Sequence, residues 1–277
     1  MSWWSEDSQR RRAEMAEEIM RAPPADVLLA VDIGNSRVGM AVWDDDGLHD
    51  TLRVGVQDLS AWRPALEATW NGAAAARRRA VVISSVRPRV TRAFADLAAD
   101  VCQADPFIIH TDVPLPIELE VDKEQVGVDR VCAAAAAYDR LRGPCAVASF
   151  GTATTIDCVS PDGRFLGGAI LPGLQMGVDA LHRDAEQLPE VELRTPAGVF
   201  GRDTSEAIVS GIIYGAVGAL RELVERYARE LNEWPHGVIT GGAAPLIAPH
   251  ADFVDSHVPD LCLMGVALAY RRAAGQP

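Results

Sequence analysis

Two stretches of the chain share one pattern: VLLAVDIGNSRVGMAVW at residues 27–43 and CAVASFGTATTIDCV at residues 145–159. Each begins with a short apolar run typical of a buried strand, passes through a glycine turn rich in polar side chains, and returns as a second apolar run. An Asp-Gly pair follows each stretch, at residues 46–47 and 162–163, and predicts a hairpin leading to a third strand. The repeated pattern therefore predicts a duplicated α/β domain.

The glycine turns around Gly34 and Gly151 have the chemistry of phosphate-binding loops. Backbone N–H groups at such a turn can surround an anion, and the neighbouring hydroxyl and amide side chains can add hydrogen bonds. Two ordinary hairpins are the alternative interpretation. A third glycine turn, at Gly242, also ends a short apolar run and could let the backbone approach a ligand closely. The matched settings of the first two turns favour a pair of phosphate sites.

The Gly-Pro pair at residues 143–144 ends an alanine-rich segment and separates the two copies. We therefore predict a first lobe over residues 26–143 and a second lobe over residues 144–277. Residues 1–25 are rich in charge and end at a Pro-Pro pair, so we expect an N-terminal extension that is disordered or helical. For this extension a poorly ordered tail is favoured over a binding arm.

Apolar spacing and capping residues predict the elements outside the repeat. Asp203 and Glu206 form a capping-box pattern that begins a long helix. Helical spacing predicts three more helices, over residues 59–79, 91–99 and 130–140. Short apolar runs predict three more strands, within residues 80–86, 106–110 and 238–243.

Composition excludes several classes of function. The chain has 26 basic and 39 acidic side chains and a net charge of −13, which argues against general nucleic-acid binding. Lys123 is the only lysine and lies in Val-Asp-Lys-Glu, so a Walker-type phosphate loop is excluded. The charged N-terminus is unlike a signal peptide, and we expect no membrane span. Five scattered cysteines without a C-x-x-C pair fit a reducing cytoplasm better than a disulfide framework.

Two groups of residues have the chemistry that phosphoryl transfer requires, namely a metal-binding carboxylate and a base for the acceptor hydroxyl. Asp32 ends a buried strand beside the first glycine turn, where it can meet a metal–phosphate directly or through water. The segment Gly127-Val128-Asp129-Arg130 combines a carboxylate that can act as a base with an arginine that can bind an anionic group. Taken alone, an Asp-Arg pair at a helix start is more often a cap or a salt bridge.

Seven motifs occur in the order found in type III pantothenate kinases, and together they cover residues 27–270. They are DIGNS from Asp32, SSVxP from Ser84, GVDR from Gly127, GTATTID from Gly151, GGAILPG from Gly167, GRDT from Gly201 and TGG from Thr240. The resemblance implies a duplicated actin-like ATPase fold of the acetate and sugar kinase/Hsp70/actin superfamily, with two RNase H-like lobes. It also implies a cytoplasmic homodimer that phosphorylates the alcohol group of pantothenate with ATP and Mg²⁺ to give 4'-phosphopantothenate, the first step of coenzyme A biosynthesis.

The resemblance also assigns roles to individual residues. Asp129 matches the catalytic base, and Asp32 matches the residue that meets Mg²⁺ through phosphate or water. Pantothenate-binding positions match Gly127, Val128, Asp129, Arg130 and Thr204. ATP-binding positions match Asp32, Ile33, Gly34, Asn35, Ser36, Arg37, Val38, Gly39 and Thr152.

Two positions depart from the family pattern. Ser149 stands where the family usually has an aspartate that ligates a monovalent cation, K⁺ or NH₄⁺, and a hydroxyl is a much poorer cation ligand. Glu120 stands where family members often have a tyrosine packed against pantothenate. These departures motivate one alternative, a catalytically impaired paralogue that acts as a regulatory or binding protein. A second alternative is another small-molecule kinase of the same superfamily with a different acceptor.

Overall fold

A computed structural model describes residues 6–21, 24–72 and 76–276, which form two compact units. Unit 1 comprises Met1–Glu118, Lys123–Ala136 and Leu261–Pro277, and unit 2 comprises Leu119–Asp122 and Ala137–Asp260. The predicted lobe boundary at residues 143–144 differs from this division, because the C-terminal segment belongs to unit 1.

Unit 1 contains a five-stranded sheet in the order β3-β2-β1-β4-β5. β1 pairs with β2 antiparallel and with β4 parallel. The strands are β1 Val27–Ile33, β2 Arg37–Asp44, β3 Gly47–Gly55, β4 Arg79–Ser85 and β5 Phe107–Ile108. The helices are α1 Glu6–Arg21, α2 Leu59–Gly72, α3 Pro88–Cys102, α4 Val128–Leu141, whose last residues lie in unit 2, and α8 Leu261–Ala273.

Unit 1 has a buried apolar core on each face of its sheet. One core is built around Trp62, Leu66 and Phe94 from α2 and α3. The other receives Val266 from α8 and Ile19 from α1. α8 contacts β1 and is apolar along much of its length, so it is stable only where a sheet face covers it. That requirement explains why the chain returns to unit 1 at its C-terminal end.

The N-terminal extension predicted over residues 1–25 contains α1. Met15 and Ile19 of this helix are buried. Arg12 forms an ion pair with Asp112, whose side chain is fully buried. The extension is therefore helical over residues 6–21 and packs on unit 1 through Arg12, Met15 and Ile19, which disagrees with the expected poorly ordered tail over this range. The prediction for residues 1–5, 22 and 23 falls outside the described residues.

Unit 2 contains a six-stranded sheet in the order β11-β10-β7-β8-β9-β6. Its strands are β6 Glu118–Leu119, whose first residue is counted with unit 1, β7 Cys145–Phe150, β8 Ala153–Val159, β9 Arg164–Pro172, β10 His236–Thr240 and β11 Ser256–His257. Its helices are α5 Leu174–Asp184, α6 Thr204–Leu231 and the short α7 Ala244–Ile247, which runs into a 3₁₀ turn over Ala248–His250. The order 9-8-7-10-11 repeats the order 3-2-1-4-5 of unit 1, so the predicted duplication is confirmed.

Two details of the helices qualify the sequence predictions. The helix predicted over residues 59–79 is described over Leu59–Gly72, and its last part is wrong, because residues 76–78 are not helical and β4 begins at Arg79. α6 is long and apolar enough to cross a membrane by length and composition alone. Its buried residues, among them Ile213, Leu220 and Val224, belong to the core of unit 2, which is the ordinary behaviour of a core helix.

Candidate active site

The first predicted phosphate turn lies in unit 1 between β1 and β2, and its carbonyl oxygens are held by the protein. The Gly34 N–H donates to the Arg37 carbonyl at 3.0 Å, and the Val56 N–H donates to the Ser36 carbonyl at 2.9 Å. The Arg87 guanidinium donates to the Asn35 carbonyl at 3.1 Å. Because the peptide unit is planar and trans, each held carbonyl directs the next N–H the opposite way. The turn is thereby fixed in one orientation, as an anion site requires.

Asp32 lies one residue before the end of β1, directly opposite Gly39 on β2 and Ser84 on β4. Its Oδ1 atom is buried and has no hydrogen-bond partner within the described part of the chain. Burial, followed by the negative charge of Asp129, raises the pKa of Asp32 to about 7, and the adjacent Cys262 and Ser84 side chains oppose that rise. Buried polar atoms normally have a hydrogen-bond partner, so the unpartnered Asp32 Oδ1 is suited to bind a ligand from outside the protein.

Asp129 lies in the first turn of α4, as predicted for the Gly-Val-Asp-Arg segment. Its Oδ1 accepts a hydrogen bond from the Arg130 N–H at 2.9 Å. Burial raises the pKa of Asp129, and the Arg130 charge and hydrogen bond oppose the rise. A Cβ at Gly127 would lie 2.5 Å from Asp129 Oδ1, so a larger residue at this position would displace the Asp129 carboxylate. The structure thus brings Asp32 and Asp129 close enough for their charges to interact.

The second predicted phosphate turn lies in unit 2 between β7 and β8. The Gly151 N–H donates to the Ala153 carbonyl at 3.1 Å, which repeats the bond across the first turn. The Ala243 N–H donates to the Phe150 carbonyl at 3.1 Å. Gly241 has a φ of +96°, and a Cβ there would meet the Phe150 backbone at 2.5 Å, so the glycine is obligatory. Thr152 lies exposed at the tip of this turn.

Ser149 occupies on β7 the place that Asp32 occupies on β1, two residues before the turn glycine. Its register partners are Thr155 on β8 and Thr240 on β10, so neutral hydroxyl side chains surround this position. Asp157, two residues along β8 from Thr155, is a buried aspartate that is 2% exposed. The position therefore lacks the charged ligand that a monovalent cation prefers.

Thr204 is the first residue of α6 and is exposed. The predicted capping arrangement is present, since Asp203 accepts from the Glu206 N–H at 2.8 Å and Glu206 accepts from the Arg202 N–H at 2.8 Å. These bonds satisfy N–H groups at the helix start and fix Thr204 at the N-terminus of α6. Thr204, Thr152 and Ser149 all belong to unit 2, whereas the remaining predicted site residues belong to unit 1.

Glu120 forms an ion pair with Arg164, which also pairs with Asp162 at 2.8 Å. The Glu120 N–H donates to the Phe165 carbonyl at 2.9 Å. The Glu120 carboxylate is therefore paired with a cation, so its negative charge would repel a carboxylated substrate less than an unpaired glutamate would.

Three residues near the first turn were missed by the sequence predictions. Arg87 contacts the turn directly, as described above. Arg53 is the register partner of Gly39 and shares a row of the sheet with Asp32. Burial lowers the pKa of Arg53, and the charge of Arg37 lowers it further. Cys262 lies beside Asp32, and hydrogen bonding with Cys132 keeps its pKa well above the usual range. The cross-strand register that places Arg53 could not be derived without knowing the pairing of β3.

Comparison with known sequences gives a consistent result. The sequence model of the type III pantothenate kinases matches residues 28–226. A type III pantothenate kinase from Parafrankia sp. (strain EAN1pec) is 35% identical over 257 residues, which cover 89% of this chain and 98% of the relative. A type III pantothenate kinase from Streptomyces coelicolor is 34% identical over 266 residues, with 89% of this chain and 98% of the relative covered.

Comparison with solved structures identifies the fold. A Baf family transcriptional activator protein from Campylobacter jejuni has a TM-score of 0.60 and 16% identity, with 89% of this chain and 99% of that chain covered. Component A of (R)-2-hydroxyglutaryl-CoA dehydratase from Acidaminococcus fermentans has a TM-score of 0.54 and 13% identity, with 90% and 99% covered. At such identities only the fold is shared, and the predicted duplicated actin-like ATPase fold is confirmed.

Proposed function

The chain belongs to the type III pantothenate kinase family, and from this premise we propose the roles that its residues take in the reaction. The activity is the ATP-dependent phosphorylation of pantothenate, the reaction that begins coenzyme A biosynthesis. The observation that carries our assignment is the pair of half-buried aspartates in unit 1, Asp32 and Asp129, whose pKa values are both raised by burial.

Asp129 is the general base that takes the proton from the pantothenate hydroxyl. A raised pKa makes its carboxylate a stronger base than an exposed aspartate, and this suits proton abstraction near neutral pH. The Arg130 N–H bond holds one oxygen of the carboxylate, so the group is oriented before substrate arrives. Arg130, Gly127, Val128 and Thr204 bind pantothenate, with Arg130 supplying the positive charge for its carboxylate.

Asp32 fits the role of the Mg²⁺-binding residue. Its buried, unpartnered Oδ1 is a carboxylate oxygen, the kind of ligand that Mg²⁺ prefers. No group of three or more His, Cys, Asp or Glu side chains that could hold a metal occurs among the described residues, which suits an ion bound through one carboxylate and substrate phosphates. When bound, Mg²⁺ neutralises charge on the phosphates of ATP. The turn from Ile33 to Gly39 and Thr152 bind those phosphates.

The residues at the family's monovalent cation position fit that ion poorly. Ser149 and its register partners offer hydroxyl oxygens in place of a carboxylate. We therefore assign no step of the reaction to K⁺ or NH₄⁺ in this chain.

We propose a cytoplasmic homodimer without nucleic-acid or membrane partners. Support comes from exposed apolar side chains of unit 2, where Phe200 is 85% and Val199 is 72% exposed. Support also comes from an exposed stripe of glycines on α6, formed by Gly211, Gly215 and Gly218. Small residues of this kind let a second helix approach closely. The net charge of −13 supports a small-molecule enzyme rather than a protein that binds phosphate backbones.

The experiment is ATP consumption by the purified chain with and without pantothenate, at several potassium concentrations, with the phosphorylated product identified by mass. Pantothenate-dependent ADP release supports the proposal. ATP binding without turnover would favour the impaired paralogue, although nothing in the comparisons favours it. Turnover only with another hydroxyl substrate would favour a different small-molecule kinase.

A further inference from the structure

Residues 84–88, which we name the brace segment, contact both functional parts of unit 1. The Val86 N–H donates to the Ile33 carbonyl at the end of β1, at 3.2 Å. The Val86 side chain lies beside the segment that contains Asp129, because a Cβ added to Gly127 would be 3.6 Å from Val86 Cγ1. The brace segment therefore touches the strand that leads into the phosphate turn and the segment that holds the base.

The backbone of Arg87 is fixed by its neighbours in the brace segment and α3. Pro88 is the first residue of α3, and proline disfavours the helical region for the residue before it. Arg87, with φ −131° and ψ 86°, lies outside that region. The Arg87 N–H donates to Ser85 Oγ at 3.0 Å, and the Arg87 carbonyl accepts from the Thr91 N–H at 2.9 Å. The Thr91 hydroxyl lies 2.6 Å from Ser85 Oγ. These contacts fix the backbone from which the Arg87 side chain extends.

The Arg87 guanidinium extends from this fixed backbone to the first phosphate turn and donates to the Asn35 carbonyl at 3.1 Å. That carbonyl precedes the Ser36 N–H in the same planar peptide unit, so holding the carbonyl on one side directs the N–H to the other. The carbonyls of Ser36 and of Arg37, the first residue of β2, accept from backbone donors instead. The bond to the Asn35 carbonyl therefore differs from these two in coming from a side chain.

We propose that Arg87 is a positioning residue that holds the Asn35–Ser36 peptide with its N–H turned toward the phosphates of ATP. The inference rests on the proposed function in one respect, that the anion of this turn is the phosphate chain of ATP. Arg87 acts through the turn, so its loss weakens nucleotide binding more than pantothenate binding. A charge-assisted hydrogen bond of this kind changes affinity by about one order of magnitude.

The test uses the full-length chain with three substitutions: Arg87→Met, Arg87→Lys and, as the matched control, Arg89→Met. Arg89 is exposed two residues further along α3, and its replacement removes the same charge without removing the bond to Asn35. ATP affinity is measured by calorimetry, and KM is measured separately for ATP and pantothenate. We expect Arg87→Met to weaken ATP binding about tenfold. We expect KM for pantothenate to change less than twofold, Arg87→Lys to recover much of the loss, and Arg89→Met to resemble the unmodified chain.

Two results would overturn the inference. One is ATP affinity within twofold of the unmodified chain in Arg87→Met. The other is an equal loss for ATP and pantothenate together with a lower thermal midpoint and no recovery by Arg87→Lys, which would indicate a purely structural residue. If the unmodified chain binds ATP but does not phosphorylate pantothenate, the proposed function fails, and the comparison of ATP affinities still decides the role of Arg87. Failure of the unmodified chain to bind ATP would overturn both.

Discussion

Replacement of Asp32 by asparagine should stabilise the protein in the absence of nucleotide and metal. Burial and the charge of Asp129 raise the pKa of Asp32 from its ordinary value of 3.8 to about 7. At 1.36 kcal/mol for each pKa unit, ionising Asp32 in the folded protein costs at most about 4 kcal/mol. Because the residue is partly exposed and solvent screens its charge, we expect about 2 kcal/mol. Asparagine has a similar size and carries no charge, so this cost disappears.

The increase in stability caused by Asp32→Asn should grow as pH rises. A raised pKa means that the folded protein holds the Asp32 proton more tightly than the unfolded chain does. The contribution of Asp32 to stability is therefore fully present below pH 3.8 and is lost as pH rises through about 7. The difference between Asp32→Asn and the unmodified chain should already be present at pH 5, where an unfolded Asp32 is ionised, and should be larger at pH 8, where we expect the thermal midpoint to rise by roughly 4–8 °C.

The assay is differential scanning calorimetry at pH 5 and pH 8 without ATP or Mg²⁺, followed by ATP titration in Mg²⁺. Asp26→Asn is the matched control, since Asp26 precedes β1 and is exposed, and its pKa is lowered by the hydrogen bond from Arg78. Asp26→Asn should leave the thermal midpoint unchanged or lower it slightly. Asp32→Asn should also bind ATP with Mg²⁺ more weakly. A lower midpoint at pH 8, or a gain that is equal at both pH values, would refute the reasoning.

Three other substitutions test separate parts of the structure. Ser149→Asp should introduce activation by K⁺ over Na⁺ at equal ionic strength, whereas the unmodified chain should show little; strong K⁺ activation of the unmodified chain would contradict this. Gly215→Leu should give a folded monomer in sedimentation, since a Cβ there meets no atom of the same chain within 4 Å; a persistent dimer would place the interface elsewhere. Arg12→Met should lower the free energy of unfolding by about 3–5 kcal/mol, because it leaves the buried Asp112 carboxylate without its cation. In the same denaturant titrations, the exposed control Arg10→Met should change the free energy of unfolding by less than about 0.5 kcal/mol. Equal effects of the two substitutions would show that the buried ion pair contributes no more than an exposed one.

The local elements of the fold were predictable because each depends on neighbouring residues. The buried strand before Gly34 was predicted from an uninterrupted apolar run, and the start of α6 was predicted from Asp203 and Glu206. The repeat of these local patterns was enough to predict the duplication that the two sheet orders confirm.

Features that depend on long-range packing could not be predicted in this way. The helical spacing over residues 59–79 did not reveal that residues 76–78 are not helical and that β4 begins at Arg79. The position of α8 in unit 1 depends on which sheet face the other helices leave uncovered, and this cannot be read from amino-acid composition. The burial of α1 likewise depends on Asp112, a partner 100 residues away from Arg12.

The candidate site was predictable where its chemistry lies in short motifs. Asp32 and Asp129 were selected for their places beside a glycine turn and at a helix start, and the structure places their charges close enough to interact. Arg87 was not selected, because its role depends on the contact of its side chain with Asn35 across the sheet edge. Roles of individual residues in unit 2, such as Thr152 and Thr204, stay predictions.

The central claim, that Asp129 is the base for phosphorylation of pantothenate, is tested most directly by the turnover of Asp129→Asn at saturating ATP and pantothenate. The comparison is with the unmodified chain and with Asp96→Asn, which removes an exposed carboxylate from α3 of the same unit. We predict that Asp129→Asn folds and binds ATP nearly as the unmodified chain does, while its turnover falls by roughly 10²–10⁴. Asp96→Asn should retain full turnover. Turnover of Asp129→Asn near that of the unmodified chain would contradict the account.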